Sequence, residues 1–326
     1  MHATHNRREI LKVLTLAALA ARGASALAAE TFPSKPIHMV VPYAAGGTTD
    51  QMARVLSQPM GEQLGQPIIV ENRPGAGGAI GTDYVVRSRG DGYTLVFGNA
   101  GPNALLPLMR PIAYDPVKDL RPISLVAPAP LILAVSASSP ARNLKEFLVY
   151  ARKNDGSLNI GSVGNGSMSH LSAEYFNQAF GLKLLHVPYA GGAPMVTALL
   201  GGQLHAAFVT GIDSTAFERA GKIRHIAIGT PEPSPLFPGL PTISSEAPGF
   251  RSVSWQAIFA PKDMPDDIVA RLHSTIASVI KLPTVQKVFN DLRTEAVSST
   301  PEALAKLVSD DIALWSPVIR KANIQM

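Results

Sequence analysis

Short apolar, β-branched runs alternate with longer amphipathic segments along most of the chain, and this alternation constrains the fold more than any other feature. The runs predict strands, and the segments with apolar residues at helical spacing predict helices. The predicted strands cover residues 37–41, 68–70, 95–97, 123–126, 131–135, 159–160, 184–187, 206–209, 223–228 and 254–259. The predicted helices cover residues 50–64, 79–88, 144–154, 169–180, 193–200, 214–220, 266–280, 284–293 and 301–323. This pattern is typical of an α/β fold with mixed, mostly parallel sheets flanked by helices.

Two proline-rich stretches mark the places where we expect the chain to cross between two lobes. The stretch Ala127-Pro128-Ala129-Pro130 lies between two predicted strands, and residues 231–241 contain five prolines. Because proline fixes φ and has no N–H group, both stretches predict connections outside the sheet ladders. We therefore expect one lobe of residues 29–128 plus 232–326, a second lobe of residues 129–231, and a ligand cleft between the two lobes.

The first residues of the chain, 1–28, are predicted to be an export signal peptide rather than part of the fold. Arg7, Arg8 and Lys12 precede an apolar run that ends at Ala21, and an A-x-A cleavage pattern ends at Ala28. The paired arginines favour the twin-arginine route, with the ordinary secretory route as the alternative. The apolar run is too short to span a bilayer. The periplasm is therefore the expected location of the mature protein.

Charge and cysteine content exclude several functional classes. Residues 1–28 carry a net charge of +3 out of the +5 of the whole chain, so about +2 remains for the mature protein. No basic stripe is present, which argues against a nucleic-acid partner. The absence of cysteine excludes disulfides, thiol nucleophiles and cysteine-based metal centres. No metal-ligand spacing and no paired-carboxylate pattern occur, so we expect no metal and no cofactor. The mature protein is expected to be a monomer.

The first candidate site is a glycine-rich loop between a strand and a helix, at residues 43–50. Its candidate binding residues are Tyr43, Ala45, Gly46, Gly47, Thr48, Thr49 and Asp50. Backbone N–H groups at the start of a helix attract anions, and small residues let a carboxylate approach the backbone closely. The loop lacks the lysine of a phosphate-binding P-loop. An ordinary strand-to-helix turn with Asp50 as its cap is the alternative interpretation.

A second glycine-rich loop, at residues 161–170, also follows a predicted strand and begins a helix. Its candidate binding residues are Ser162, Gly164, Asn165, Gly166, Ser167 and His170. If the two loops face each other across the cleft, they form the two halves of an anion clamp. A hydrolase with Ser167 as nucleophile and His170 as base is an alternative, but the G-x-S-x-G pattern is absent. A lone histidine on a helix is more often a packing or capping residue than a base.

Three further positions complete the set of candidate binding residues. Tyr189 lies in a third strand-to-helix glycine turn and supplies a ring with a hydroxyl group. Asn99 and Asp213 are the other two candidates.

Residues 72–81 invite a dinucleotide interpretation, but Ile80 breaks the G-x-G-x-x-G spacing, and the expected ribose-binding acid about twenty residues further on is missing. A structural loop or a wall of the cleft is expected there.

A series of sequence blocks covers the mature chain in a fixed order. Residues 29–36 lead into Val41-Pro42-Tyr43-Ala44-Ala45-Gly46-Gly47-Thr48-Thr49-Asp50, and the further blocks are residues 70–78, 91–95, 161–171, 188–194, 200–203 and 259–261. In these blocks the chain resembles the Bug-type solute receptors of tripartite tricarboxylate transporters. Several blocks in one order are far more specific than any single glycine loop.

The resemblance implies a periplasmic-binding-protein (Venus-flytrap) fold and a receptor for a small organic carboxylate: a di- or tricarboxylate, an amino acid or an aromatic acid. It also implies membrane permease subunits as partners and no enzymatic activity. One carboxylate would be held by backbone amides and ordered waters from two facing loops, here residues 43–50 and 162–170. A sensory receptor that delivers the same ligand class to a signalling protein is the alternative function.

Two residues depart from the pattern that this resemblance implies. Ala190 stands where relatives often carry a lysine, which removes a positive group near the third glycine turn. His205 stands where many relatives carry an acid. Because His205 lies outside the expected clamp, this second departure implies nothing about the ligand.

Overall fold

The computed structural model describes residues 32–324, which contain two five-stranded sheets. The first sheet contains β1 (Ile37–Val41), β2 (Ile68–Asn72), β3 (Thr94–Asn99), β4 (Leu120–Pro130) and β10 (Val253–Pro261). The second sheet contains β5 (Ile132–Ser136), β6 (Asn159–Ser162), β7 (Leu185–Pro188), β8 (Ala206–Val209) and β9 (Ile223–Ile228). The predicted export signal lies outside the described residues.

Helices connect most of the strands and cover the two sheets. They are α1 (Thr48–Leu64), α2 (Ala79–Val86), α3 (Leu144–Lys153), α4 (Met168–Phe180), α5 (Gly192–Leu200), α6 (Gly211–Arg219), α7 (Asp266–Val279), α8 (Pro283–Asp291) and α9 (Pro301–Ala322). Each predicted strand and helix is present, with ends that differ by a few residues from the predicted ones. Over residues 32–324, none of these helices combines the length and the apolar character that crossing a membrane requires.

The two sheets share one topology. Their strand orders are β2-β1-β3-β10-β4 and β7-β6-β8-β5-β9. In the first sheet β1 pairs in parallel with β2 and β3, whereas β10 runs antiparallel to β3 and β4. In the second sheet β6 pairs in parallel with β7 and β8, whereas β5 runs antiparallel to β8 and β9. Four of the five strands in each sheet therefore point the same way, which confirms the predicted two-lobed α/β fold with mixed, mostly parallel sheets.

The proline pattern predicts that residues 127–130 leave the sheet, and this prediction is wrong. Strand β4 continues through Pro130, which pairs with Val253 of β10. Because β4 is an edge strand, Pro128 and Pro130 need no N–H group toward a second neighbour, and edge strands are where sheets tolerate proline. The chain crosses from the first sheet to the second at Leu131, between β4 and β5.

Three chain segments meet where the two sheets join. The Leu131 N–H donates to Ser252 O at 3.0 Å, the Ser252 N–H donates to Gly229 O at 2.8 Å, and the Gly229 N–H donates to Leu131 O at 2.8 Å. A side chain at Gly229 would collide with the backbone of Ser252. The proline-rich segment that follows lies against the second sheet, because Phe237 is buried in that sheet's core.

The C-terminal helix α9 contacts both lobes. It packs against β4 of the first sheet and against α4 of the second. The Gln178 side-chain amide donates to Val318 O at 3.0 Å, and the Tyr175 and Trp315 rings lie edge to face with centroids 5.7 Å apart. Apolar residues of both sheets therefore belong to one continuous buried cluster beneath this helix.

Candidate functional site

The carboxylate of Asp50 holds the first glycine loop in shape. Its Oδ2 accepts from the Gly46 N–H at 2.9 Å, its Oδ1 accepts from Asn72 Nδ2 at 2.9 Å, and Arg54 Nε lies 3.0 Å from both oxygens. Burial raises the pKa of Asp50, but the hydrogen bonds and the Arg54 charge outweigh it, so the pKa lies below its ordinary value. Both oxygens are engaged inside the protein. Asp50 therefore positions the loop, and its oxygens are not open to a ligand.

The start of α1 leaves backbone donors open. The capping position is Gly47, which has no side chain to accept a hydrogen bond from the first turn. The N–H groups of Thr48 and Thr49 therefore have no intrahelical acceptor, and the positive end of the helix dipole lies at the same place. A Cβ added at Gly47 would meet no atom closer than 3.9 Å. The backbone at Gly47 is therefore unobstructed on the side where a side chain would lie.

Tyr43 and Asn99 form a polar pair beside this loop. The Tyr43 hydroxyl donates to Asn99 Oδ1 at 2.9 Å, and the Gly101 N–H donates to the same oxygen at 3.1 Å. Burial raises the pKa of Tyr43 well above its ordinary value, so its hydroxyl stays protonated at neutral pH. Because Oδ1 accepts both bonds, the orientation of the amide is fixed. Asn99 Nδ2 has no hydrogen-bond partner among residues 32–324 and is an open donor.

In the second loop, Ser167 and His170 are engaged with the backbone. The Ser167 hydroxyl donates to Gly164 O at 2.6 Å and accepts from the His170 N–H at 3.3 Å, as a helix cap does. His170 Nδ1 accepts from the Gly166 N–H at 3.1 Å, so this nitrogen carries no proton. The two side chains do not form the nucleophile–base pair that a hydrolase requires.

His186 lies beneath the second loop and was not among the predicted site residues. Its Nε2 lies 2.6 Å from Ser162 Oγ, and its ring stacks on that of His170. Burial lowers the pKa of His170 to about 4, and burial together with His170 lowers the pKa of His186 to about 3. Both rings are therefore neutral at pH 7. Ser162 is fully buried, so a substrate cannot reach its hydroxyl.

The two lobes touch through a pair of threonines. Thr48, at the start of α1, and Thr210, which precedes α6, have their hydroxyl oxygens 3.2 Å apart. Thr210 Oγ1 donates to Asp213 Oδ2 at 2.7 Å and accepts from the Asp213 N–H at 3.3 Å. Burial raises the pKa of Asp213 more than these hydrogen bonds lower it. A chain of three polar side chains thus joins the first loop to the second lobe.

The backbone of residues 75–78 also approaches the second lobe. A Cβ added at Gly77 would lie 3.9 Å from the carbonyl oxygen of Asn165, in the second glycine loop. The Arg110 guanidinium donates to Ala76 O at 2.7 Å and holds this segment from its own lobe. The segment is therefore a wall of the cleft.

The predicted site residues divide by lobe. Residues 43–50 and Asn99 lie at the carboxyl ends of β1 and β3, and residues 162–170 and Tyr189 lie at the ends of β6 and β7. Ligands of α/β folds bind outside such strand ends. The Tyr189 N–H donates to Ser162 O at 2.9 Å, which ties the third turn to the second loop. Asp213 belongs to the second lobe and is linked through Thr210 to Thr48 of the first loop.

Several residues that build the site escape prediction from local patterns. They are Arg54, Asn72, His186, Gly192 and Thr210. Thr210 carries a usable signal, because a threonine three residues before an acid is typical of a helix start. Asn72 and His186 have none, since their partners are distant in sequence. Over residues 32–324, no group of three or more histidine, aspartate or glutamate side chains could hold a metal ion.

Two similar α/β lobes with glycine loops facing a shared cleft define a two-lobed solute-binding protein. A family model for the tripartite tricarboxylate transporter family receptor matches residues 52–324. Protein BugT of Bordetella pertussis is 33% identical over 324 residues, which cover 98% of this chain and 99% of BugT. The chain therefore belongs to the receptor family of tripartite tricarboxylate transporters, as its sequence blocks predict.

Two solved structures of Rhodopseudomonas palustris proteins are similar over most of the chain. One, solved with adipate, has a TM-score of 0.85 and 32% identity and covers 90% of this chain and 99% of that one. The other, MatC with bound malate, has a TM-score of 0.81 and 33% identity and covers 88% of this chain and all of that one. The periplasmic binding protein BugD has a TM-score of 0.83 and 33% identity and covers 90% of this chain and 99% of that one, which confirms the periplasmic-binding-protein fold.

Proposed function

We propose that the protein is a periplasmic receptor that captures a small organic carboxylate and delivers it to the permease subunits of a tripartite transporter. The observation that carries the proposal is the uncapped start of α1, where the N–H groups of Thr48 and Thr49 are open beside the bare backbone of Gly47. A carboxylate there is stabilised by hydrogen bonds and by the helix dipole, so no buried lysine or arginine is required. The adipate and malate of the two R. palustris relatives belong to this chemical class.

The second lobe closes on the carboxylate in this proposal. The Thr48–Thr210 contact and the approach of residues 75–78 to Asn165 support a closed arrangement. The lobes rotate about the segments that meet at Leu131, Gly229 and Ser252. In this proposal the first crossing is at Leu131 rather than directly after residue 128, and the packing of Phe237 favours a return crossing near Ser252 rather than at residue 232.

Binding without catalysis is part of the proposal. The Ser167 hydroxyl proton is donated to Gly164 O, and His170 Nδ1 is occupied by the Gly166 N–H, so neither group is poised for proton transfer. Ser162 has a histidine partner but is fully buried. These contacts support a receptor over the serine hydrolase alternative. Export through a twin-arginine signal at residues 1–28 would place this receptor outside the cytoplasm.

A thermal-shift screen of the mature protein against mono-, di- and tricarboxylates tests the proposed function. A ligand that binds only the folded state at one hundred times its Kd raises the free energy of unfolding by about 2.7 kcal/mol. We expect such a shift with the acid and none with its amide, because the backbone donors read the carboxylate charge. Recovery of the ligand unchanged after long incubation separates a receptor from an enzyme. A panel without any shift would contradict the proposal.

A further inference from the structure

Asp213 lies where three elements of the cleft converge. It is in the first turn of α6, and its Oδ2 accepts the Thr210 hydroxyl at 2.7 Å. Its other oxygen lies against Gly192 at the start of α5, because a Cβ added at Gly192 would collide with the carboxylate. Thr48 of the opposite lobe reaches the same corner through Thr210. The carboxylate is therefore linked through threonine hydroxyls to Thr48, the first residue of α1.

The hydroxyl groups around Asp213 donate hydrogen bonds to its carboxylate. Thr210 has a single hydroxyl proton, and it is donated to Asp213. Thr48 Oγ1 lies 3.2 Å from Thr210 Oγ1, and the Thr48 hydroxyl also forms a hydrogen bond with Asp213. The lone pairs that remain on Thr48 Oγ1 and on Asp213 are acceptors. Thr48 therefore carries both an acceptor on its side chain, linked to Asp213, and one of the uncapped backbone N–H groups of α1.

The charge of Asp213 has no compensating cation nearby. Over the described residues 32–324, hydrogen bonds from hydroxyl and backbone groups are the favourable contacts of this carboxylate, and no lysine, arginine or histidine forms an ion pair with it. A second carboxylate of a ligand would meet acceptors here, in a place where burial already disfavours negative charge and raises the pKa of Asp213. A hydroxyl or an ammonium group would supply the missing donor.

We infer that the ligand carries a hydrogen-bond donor, a hydroxyl or an ammonium group, next to the carboxylate that the first loop holds, and that Asp213 selects for this donor. The inference rests on the proposed function and narrows it to 2-hydroxy and 2-amino acids. Thr48 supplies the geometric link, because its backbone N–H faces the carboxylate and its side chain leads to Asp213. A plain acid of the same length leaves the acceptors of this corner unsatisfied.

Calorimetric titrations of the wild-type mature protein with matched acids test this inference. The carboxylate screen first identifies the chain length that binds, and at that length the plain, the 2-hydroxy and the 2-amino acid are compared. For a four-carbon diacid these are succinate, malate and aspartate. We expect one donor-bearing acid to bind at least tenfold more tightly than the plain acid. Tighter binding of the 2-hydroxy acid would indicate a hydroxyl donor, and tighter binding of the 2-amino acid would indicate an ammonium donor.

Two variants assign the preference to Asp213. Asp213→Asn keeps the size of the side chain but removes its charge, and we expect the preference for the donor-bearing acid to fall at least tenfold. Gly192→Ala keeps the carboxylate but displaces it, and we expect the same direction of change. Asp155→Asn is the matched control, because Asp155 is an exposed acid of the same lobe. We expect Asp155→Asn to retain the wild-type preference, and thermal unfolding verifies that each variant folds.

The outcomes separate this inference from the proposed function. Equal affinity of the wild type for the plain and the donor-bearing acids would overturn the inference and leave the carboxylate receptor intact. An undiminished preference in both Asp213→Asn and Gly192→Ala would also overturn it. If no carboxylate of the screen binds, the proposed function fails and the inference fails with it.

Discussion

The imidazole rings of His170 and His186 stack with their centroids 3.8 Å apart and their planes within 14° of parallel. His170 accepts the Gly166 N–H, and His186 lies at hydrogen-bond distance from Ser162, so both rings are bonded to the second glycine loop. Protonation of His170 at Nδ1 would remove the acceptor of the Gly166 N–H. The shape of the loop that faces the cleft therefore depends on two neutral histidines.

We expect the unfolding temperature to fall when the pH is lowered from 7 to 4.5. Burial lowers the pKa of His170 to about 4 and that of His186 to about 3, whereas the pKa in the unfolded chain is about 6.5. The unfolded state binds more protons between these values, so this stabilisation is complete above about pH 6.5 and is lost as the pH falls toward the folded pKa values. Each unit of pKa difference corresponds to about 1.4 kcal/mol. Thermal denaturation between pH 4.5 and 7.5 measures the effect.

The variant His186→Gln separates the histidine stack from the other titrating groups. It removes one buried ring, so we expect lower stability at pH 7 but a flatter dependence on pH. His225, whose pKa burial also lowers to about 4, is retained and sets part of the remaining slope. Parallel curves for the wild type and His186→Gln would contradict the role assigned to the stack.

The variant Gly47→Val should abolish ligand binding and leave the fold intact. Gly47 has φ −80° and ψ 172°, an extended conformation that valine adopts readily, and the space around it is open. The valine side chain would fill the position in front of the Thr48 and Thr49 N–H groups. We expect affinity to fall by at least about 100-fold, or about 2.7 kcal/mol, with Gly47→Ala intermediate. Calorimetry and thermal unfolding measure the two effects separately.

Gly46→Ala is the contrasting control for the first loop. Gly46 has φ +86°, in the left-handed region, so a side chain there is strained although no atom lies close to it. We expect Gly46→Ala to lower stability by about 1 kcal/mol. Full affinity in Gly47→Val would remove the first loop from the site, whatever the result for Gly46→Ala.

Prediction from sequence succeeds for the fold because its signals are local. The apolar run of β1 and the glycine turn before α1 are contiguous, so periodicity and turn residues identify them. The loop candidates Tyr43 to Thr49 follow from the same local pattern, and the structure places them at the strand ends as expected. Residues 127–130 are misassigned because proline excludes central strands but not edge strands, and strand order cannot be derived from local pattern.

The supporting side chains of the site have no local signature. Asn72 reaches Asp50 across 22 positions in sequence, and His186 reaches Ser162 across 24. Such pairs depend on which strands become neighbours, which is a property of the folded sheet. Local patterns therefore predict where the two glycine loops lie, but they do not predict that the side-chain oxygens of Asp50 and Ser167 form hydrogen bonds within those loops.

The variant Thr48→Val should weaken closure of the two lobes without disturbing either lobe. The Thr48 hydroxyl contacts Thr210 across the cleft, and valine has nearly the same shape but no hydroxyl. Loss of one hydrogen bond of about 0.5–1.5 kcal/mol corresponds to a fall in affinity of about two- to tenfold. We expect a smaller ligand-induced decrease in the radius of gyration, measured by solution scattering at saturating ligand. Thr197→Val, on the exposed side of α5, is the matched control, and an equal response of both variants would refute the closure contact.

The buried carboxylate of Asp50 should stabilise the protein far more than the exposed carboxylate of Asp310, although both form ion pairs with i,i+4 spacing. Asp50 and Arg54 form an i,i+4 ion pair in which the Asp50 side chain is 3% exposed, whereas the i,i+4 pair of Lys306 and Asp310 has an aspartate that is 50% exposed. Asp50→Asn weakens the bonds to Gly46, Arg54 and Asn72, so we expect a loss of about 1–3 kcal/mol at pH 7. Asp310→Asn should cost about 0–1 kcal/mol, because solvent screens an exposed pair.

The pH dependence of the stability difference between the wild type and Asp50→Asn tests whether the charge of Asp50 causes that difference. Because the folded pKa of Asp50 is lowered, its contribution is complete above the unfolded pKa of about 3.9 and is lost as the pH falls through the folded value. The gap between the wild type and Asp50→Asn should therefore be constant from pH 5 to 8 and shrink on acidification below pH 4. Denaturant unfolding at each pH measures the gap. Equal losses in Asp50→Asn and Asp310→Asn at pH 7 would show that Asp50 does not hold the first loop in the way its contacts indicate.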